Sequence, residues 1–274
     1  MELFYSYLSL AALAGFAVLM ARRTKLPAPL APFAALCATM VWFSAAGMLG
    51  VLAAAGWLYF VLAAAAWVLA FRPGAKQPAS ALKAPGFAAF FVLSAALLAF
   101  FAWRQPMFST WDEFSFWGTA AKLTCENDAL YTVCDTGLPW QMTELAALPL
   151  ASYFFQLFGA FAPWRSIFAA DLLMLAAVAA AVGCAKRARL ACPLFLAGLS
   201  LPTLVTVAGH TALLNTAWLE FLGDLPAGML FGGAAAFWLA VRDEGPAARW
   251  LTLPVLMLAA NVKSNTFVLG LAAA

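Results

Sequence analysis

Charge is what this sequence has least of. Of its 274 residues 10% are charged, and a single histidine is present. Soluble domains carry roughly 25% charged residues. No long basic run exists to neutralise nucleic-acid phosphates, and no glycine-rich phosphate loop supports nucleotide use. His and Cys never fall at metal-ligand spacing, so no structural zinc is expected. The first 20 residues lack a basic start, and Arg22, Arg23 and Lys25 follow the apolar run instead of preceding it. That order is the reverse of a secretory signal peptide.

Apolar residues fill the gap. They make up 66% of the chain, and mean hydropathy is +0.92. A chain of this length could not bury so much apolar surface against itself. Lipid can cover it, so the bilayer is the first partner implied. A spanning helix needs about 20 mostly apolar residues. Eight runs qualify: Leu3 to Met20, Leu30 to Gly50, Val51 to Phe71, Gly86 to Trp103, Ser166 to Cys184, Leu190 to Ala208, Asp224 to Val241, and Trp250 to Leu271. The stretch from Leu30 to Phe71 is too long for one crossing and should fold back near Gly47, Gly50 or Gly56.

Leu145 to Ala162 is ambiguous, because it is short and contains Pro149, Ser152, Tyr153 and Gln156. Cytoplasmic loops are enriched in Lys and Arg. Arg22, Arg23 and Lys25 place the first loop inside, and Arg72, Lys76 and Lys83 place the third there too. If Leu145 to Ala162 spanned, then Lys186, Arg187, Arg189, Arg242 and Arg249 would lie outside. If it lies in the interface or re-enters, all five lie inside. The expected fold is therefore an all-α polytopic transmembrane bundle. It has about eight spans, an external N-terminus and a short interfacial helix in the first large outer loop. Residues 1–103 form a four-span region, 104–165 the outer loop, and 166–274 a second four-span region. The chain stops at Leu271-Ala272-Ala273-Ala274 without a polar tail, and reads as an incomplete piece of a longer protein.

The outer loop carries the chemistry. Ser109-Thr110-Trp111-Asp112-Glu113-Phe114-Ser115-Phe116-Trp117-Gly118 sets two adjacent carboxylates among four large aromatics. Trp favours the headgroup level, so the segment should lie on the membrane surface. Thr110 followed by Glu113 fits a reciprocal helix cap. That accounts for Glu113 and leaves Asp112 with only the weaker attraction of a helix N-terminus. On capping alone, Glu113→Gln should fold normally. Arg165 opens a later span and can pair with Asp171. Asp224 suits a helix N-cap. Lys263 sits in the polar run Asn261-Val262-Lys263-Ser264-Asn265 and either serves a site or snorkels to the interface. His210 lies in a loop with Asn215 and Glu220. Cys125 and Cys134 share the outer loop, where a disulfide or two free thiols are both open. Cys37, Cys184 and Cys192 read as small apolar residues.

The run from Trp111 to Trp117, with Ala121-Lys122 after it, resembles the first outer loop of GT-C membrane glycosyltransferases of the protein mannosyltransferase and aminoarabinose transferase group. Leu148-Pro149-Leu150 stands for that family's proline segment, Phe158-Gly159 follows it, and Arg165 precedes the next span. Asp224 matches an acidic residue in a later outer loop, and Lys263 a lysine near the outer end of a later span. The resemblance runs from about Arg104 to the C-terminus, with three additional spans ahead of it. It implies transfer of a sugar from a polyprenyl-phosphate donor to a hydroxyl acceptor on the outer side of a bacterial inner (plasma) membrane. Asp112 would be the catalytic carboxylate with Glu113 assisting. Arg165, Lys263, His210 and Asp224 would bind substrate. The sequence points to no particular cofactor, and the acidic pair leaves room for a divalent cation. The competing reading is a transporter, flippase or envelope-assembly subunit without chemistry. Transporters place ionisable groups at mid-span and show paired repeats; here the charges gather at one face.

Overall fold

A computed structural model describes residues 2–72, 85–134, 146–183, 198 and 217–263. Among them there is no strand. The long elements are α1 (Glu2–Arg23), α2 (Ala31–Met48), α3 (Leu52–Phe71), α4 (Pro85–Arg104), α7 (Pro163–Gly183) and α8 (Asp224–Val241). Between α4 and α7 lie the short helices α5 (Gly118–Asn127) and α6 (Ala147–Gln156). After α8 come α9 (Pro246–Trp250) and α10 (Thr252–Ala260).

Six of these helices are long and apolar enough to cross a bilayer, and Pro246–Ala260 forms a shorter apolar stretch. The chain is an integral membrane protein. The helices carry no strong polar face because lipid replaces water around them. Large apolar side chains such as Trp57, Val61, Val68 and Val92 accordingly point outward. Of the expected span Leu190 to Ala208 only Gly198 is among the described residues, and the last eight residues of Trp250 to Leu271 lie outside them.

The predicted fold-back falls at Gly50. Its φ of +69° is a left-handed conformation that glycine adopts without a Cβ clash. The α2–α3 connection is thereby reduced to Leu49, Gly50 and Val51.

Long-range contacts sort the helix ends. Ser6 at the start of α1 donates to the Phe155 carbonyl at the end of α6 (3.1 Å). Ser44 near the end of α2 accepts from Asn261 Nδ2 after α10 (3.1 Å). Glu113 after α4 accepts from the Phe221 N–H before α8. All these groups lie at one end of the bundle, the acidic-loop end. At the other end Gly86, opening α4, packs on Pro29 between α1 and α2. That end holds Arg22, Arg23, Lys25, Arg72, Arg242 and Arg249. Among the described residues, those six members of the charge set used to orient the chain thus share one end.

For Leu145 to Ala162 the structure adds one feature. Its helical part, α6, does not lie on a surface: all ten residues from Ala147 to Gln156 are buried. It is a short helix packed inside the bundle on α7, α5, α1 and α2. Its polar residues looked like an interface because their partners are distant in sequence. Gln156 Nε2 donates to Ser152 Oγ (2.7 Å) and to Ser166 Oγ (3.1 Å). Its Oε1 accepts from the Ala162 N–H (2.6 Å). The helix ends at Gln156, which leaves late carbonyls unpaired within it. Ser6 and Ser9 of α1 donate to the carbonyls of Phe155 and Phe154 (3.1 and 3.0 Å).

Candidate functional site at the acidic-loop end

The acidic pair opens a five-residue π-helical turn, Glu113–Trp117, that runs into α5. Such wide turns are rare and concentrate at functional sites. Here the wide turn is closed by the Gly118 N–H donating to the Glu113 carbonyl and by Thr119 Oγ1 donating to the Phe114 carbonyl (2.7 Å). Gly118 is required by close packing. A Cβ there would lie 2.2 Å from the Phe108 ring and 2.6 Å from the Glu113 carbonyl oxygen.

The two carboxylates are used differently. Glu113 is fully buried. Its Oε2 accepts from the N–H groups of Ser109 and Thr110 (2.8 Å each) and from Thr110 Oγ1 (3.0 Å). The Glu113 N–H donates back to Thr110 Oγ1 (3.4 Å), so the expected reciprocal cap is present. Its Oε1 does something the local sequence did not announce: it accepts from the Phe221 N–H at 2.7 Å, 108 positions away. Glu113 therefore clamps the loop before α8 to the acidic turn. Asp112 is exposed and makes no hydrogen bond or ion pair among the described residues.

The four aromatics divide likewise. Trp111 and Phe114 are exposed, as are Trp103 and Met107, while Phe116 is half-buried and Trp117 buried. The exposed group suits the headgroup zone. Trp117 instead packs under the loop before α8, where a Cβ on Gly223 would sit 2.5 Å from its ring. Asp224 follows at once as the first residue of α8 and forms an ion pair with Lys263. The Lys263 side chain is mostly buried and that of Asp224 mostly exposed. Two residues separated by 39 positions, each singled out in the sequence, thus meet beside the acidic turn.

Arg165 is fully buried at the start of α7. It donates to the Ala160 carbonyl, its guanidinium packs against Gly159, and it lies over the Trp164 ring at 5.6 Å. The loop 157–162 is wrapped around it. The pairing with Asp171 does not form: both carboxylate oxygens of Asp171 are buried without a partner. Six residues amount to about 600° of helical turn and about 9 Å of rise, which puts the two on different faces. His210 and Asn215 lie outside the described residues. Glu220 is half-buried, next to Phe221.

No disulfide joins Cys125 and Cys134, so that option is not realised. Cys134 Sγ donates to the Leu130 carbonyl (3.5 Å). Burial pushes the Cys125 thiol up to about 12, against weaker opposing effects of a Ser152 hydrogen bond and the Arg165 charge. Among the described residues no three His, Cys, Asp or Glu side chains group as metal ligands.

Several participants could not be picked out from the sequence. The Phe221 N–H is a backbone group, and Ser6, Ser9, Ser152 and Ser166 are ordinary hydroxyls within apolar runs. Only the folded contacts give them roles. No protein-family model, curated protein or solved structure matches the chain.

Proposed function

We propose that the protein is a membrane glycosyltransferase of GT-C type. It moves a sugar from a polyprenyl-phosphate donor to a hydroxyl acceptor at the acidic-loop end, on the outer side of a bacterial inner membrane. The observation that carries this reading is the division of labour between adjacent carboxylates. Glu113 is consumed in holding the turn. Asp112 is presented to solvent on that rigid turn with no structural task. A carboxylate held this way, close to the headgroup zone, suits a general base for a lipid-linked substrate.

In the reaction the acceptor oxygen attacks the anomeric carbon and the carbon–oxygen bond to phosphate breaks. The acceptor proton passes to Asp112, and the prenyl phosphate leaves with the negative charge. Lys263 is the cation best placed to meet that charge, exchanging Asp224 for phosphate. Arg165, sealed beneath the loop 157–162, acts by fixing that loop. A divalent cation, if used, would sit at Asp112.

The test is purified protein in lipid nanodiscs, supplied with radiolabelled short-chain polyprenyl-phosphate sugars and a hydroxyl acceptor. Label should move from the organic to the aqueous phase. Retention of all label on the lipid, across hexose and pentose donors, would return the protein to the transporter or assembly-subunit reading.

A further inference from the structure

A small cavity of about 150 Å³ opens at the acidic-loop end, between the end of α2, the turn at 130–132, the start of α6 and the end of α10. Its polar wall is Ser44, Thr132 and Asn261; its apolar wall is Met48, Leu130 and Leu150. Ala146 lies at its edge. At roughly 30 Å³ per water the space equals about five waters, enough for one sugar ring.

The polar wall has unused capacity. Asn261 Nδ2 donates to Ser44 Oγ, which fixes both side chains. Among the described residues, the Asn261 Oδ1, the Ser44 hydroxyl hydrogen and the Thr132 hydroxyl meet no partner. The pocket thus offers an acceptor, a donor and one group that can be either. No charged side chain lines it, which disfavours a phosphate, a carboxylate or a metal ion. Hydroxyl and amide groups facing an apolar wall match a neutral polyol, whose hydroxyls lie at its edge and whose C–H groups present an apolar face. Asn261 is held from a second side, because its carbonyl accepts from the Ala147 N–H (3.2 Å). It also lies two residues before Lys263.

We infer that this cavity is a binding subsite for one neutral monosaccharide unit, held by Ser44, Thr132 and Asn261 against Met48, Leu130 and Leu150. As a subsite of the transfer reaction it rests on the function proposed above. As a sugar-binding pocket it stands on its lining alone. The sugar belongs either to the lipid-linked donor or to the acceptor.

The experiment is saturation-transfer NMR on the full chain in nanodiscs, with methyl glycosides of neutral hexoses and pentoses as probes. Wild-type protein should transfer saturation to at least one glycoside. Thr132→Val removes a hydroxyl that bonds to nothing among the described residues, so its unfolding midpoint should be unchanged. It should weaken binding about three- to tenfold, the worth of one neutral hydrogen bond. Ala146→Phe should block the pocket. Silence from every glycoside overturns the inference, and so does binding that both variants leave intact. A short-chain prenyl-phosphate sugar that competes with the glycoside assigns the pocket to the donor; simultaneous binding assigns it to the acceptor. Either result supports a sugar subsite. Sugar transfer that persists without glycoside binding defeats this inference alone. Glycoside binding without any transfer defeats the proposed enzyme and leaves the pocket standing.

Discussion

Glu113 shows how one buried carboxylate can decide the shape of a site. Both its oxygens accept from donors, on Ser109 and Thr110 at one and on Phe221 at the other. Glutamine offers a single carbonyl oxygen, so its amide group must face a backbone N–H on one side. The reciprocal cap alone would tolerate Glu113→Gln; the bond to Phe221 removes that tolerance. The variant should lose about 1–3 kcal/mol, the cost of unsatisfied buried donors, read as a lower unfolding midpoint in detergent. A midpoint equal to wild type would mean that the clamp contributes nothing. The two loop cysteines give a second residue-scale expectation. With its thiol pushed up to about 12 by burial, Cys125 holds little thiolate at pH 8, and the thiolate is the reactive form. Both cysteines should map as unlinked in freshly isolated membranes, and Cys125 should resist maleimide until the protein is unfolded. A linked peptide, or rapid native labelling of Cys125, would refute the packing around α5.

Helices, turns and end polarity were legible in the sequence because a bilayer simplifies the code. Apolar length gives the six long helices of the described residues, and Gly50 marks the turn where a positive φ was needed. The position of α6 was only half legible. Ser152 and Gln156 signalled that Leu145 to Ala162 was no ordinary span, but not that Ser166 and the Ala162 N–H would satisfy them inside the bundle. The same limit applied to Arg165 and Asp171, whose proximity in sequence suggested a pair that helix geometry forbids. In the acidic loop the cap was readable, since it spans three residues. The clamp to Phe221 was not, since it crosses 108. Element-scale packing makes its own prediction at Gly118. Alanine there must displace both the Phe108 ring and the Glu113 carbonyl. Gly118→Ala should therefore destabilise by about 1–3 kcal/mol, as overpacking does, and thermal unfolding can measure it. An unchanged midpoint would show that the π-helical turn relaxes freely.

At the scale of the whole molecule, the bundle has two chemically distinct ends. Arg22, Arg23, Lys25, Arg72, Arg242 and Arg249 mark one; Asp112, Glu113, Asp224 and Lys263 mark the other. If the basic end is cytoplasmic, a cysteine at Trp111 in a Cys-free background should react with an impermeant maleimide from outside. A cysteine at Arg249 should react only after permeabilisation. The reverse pattern would invert the orientation and with it the side on which any acceptor is met.

The central claim is that Asp112 works on substrate while Glu113 works on structure. Asp112→Asn keeps size and removes the base; exposed and unbonded, it should alter folding by well under about 1 kcal/mol. The decisive measurement is the rate of sugar transfer from a polyprenyl-phosphate donor by Asp112→Asn, at matched folded protein in nanodiscs. The account predicts an unchanged unfolding midpoint with a rate lower by about 10²–10⁴-fold, the usual worth of general base catalysis. Wild-type transfer by Asp112→Asn would contradict it and remove the residue from the mechanism.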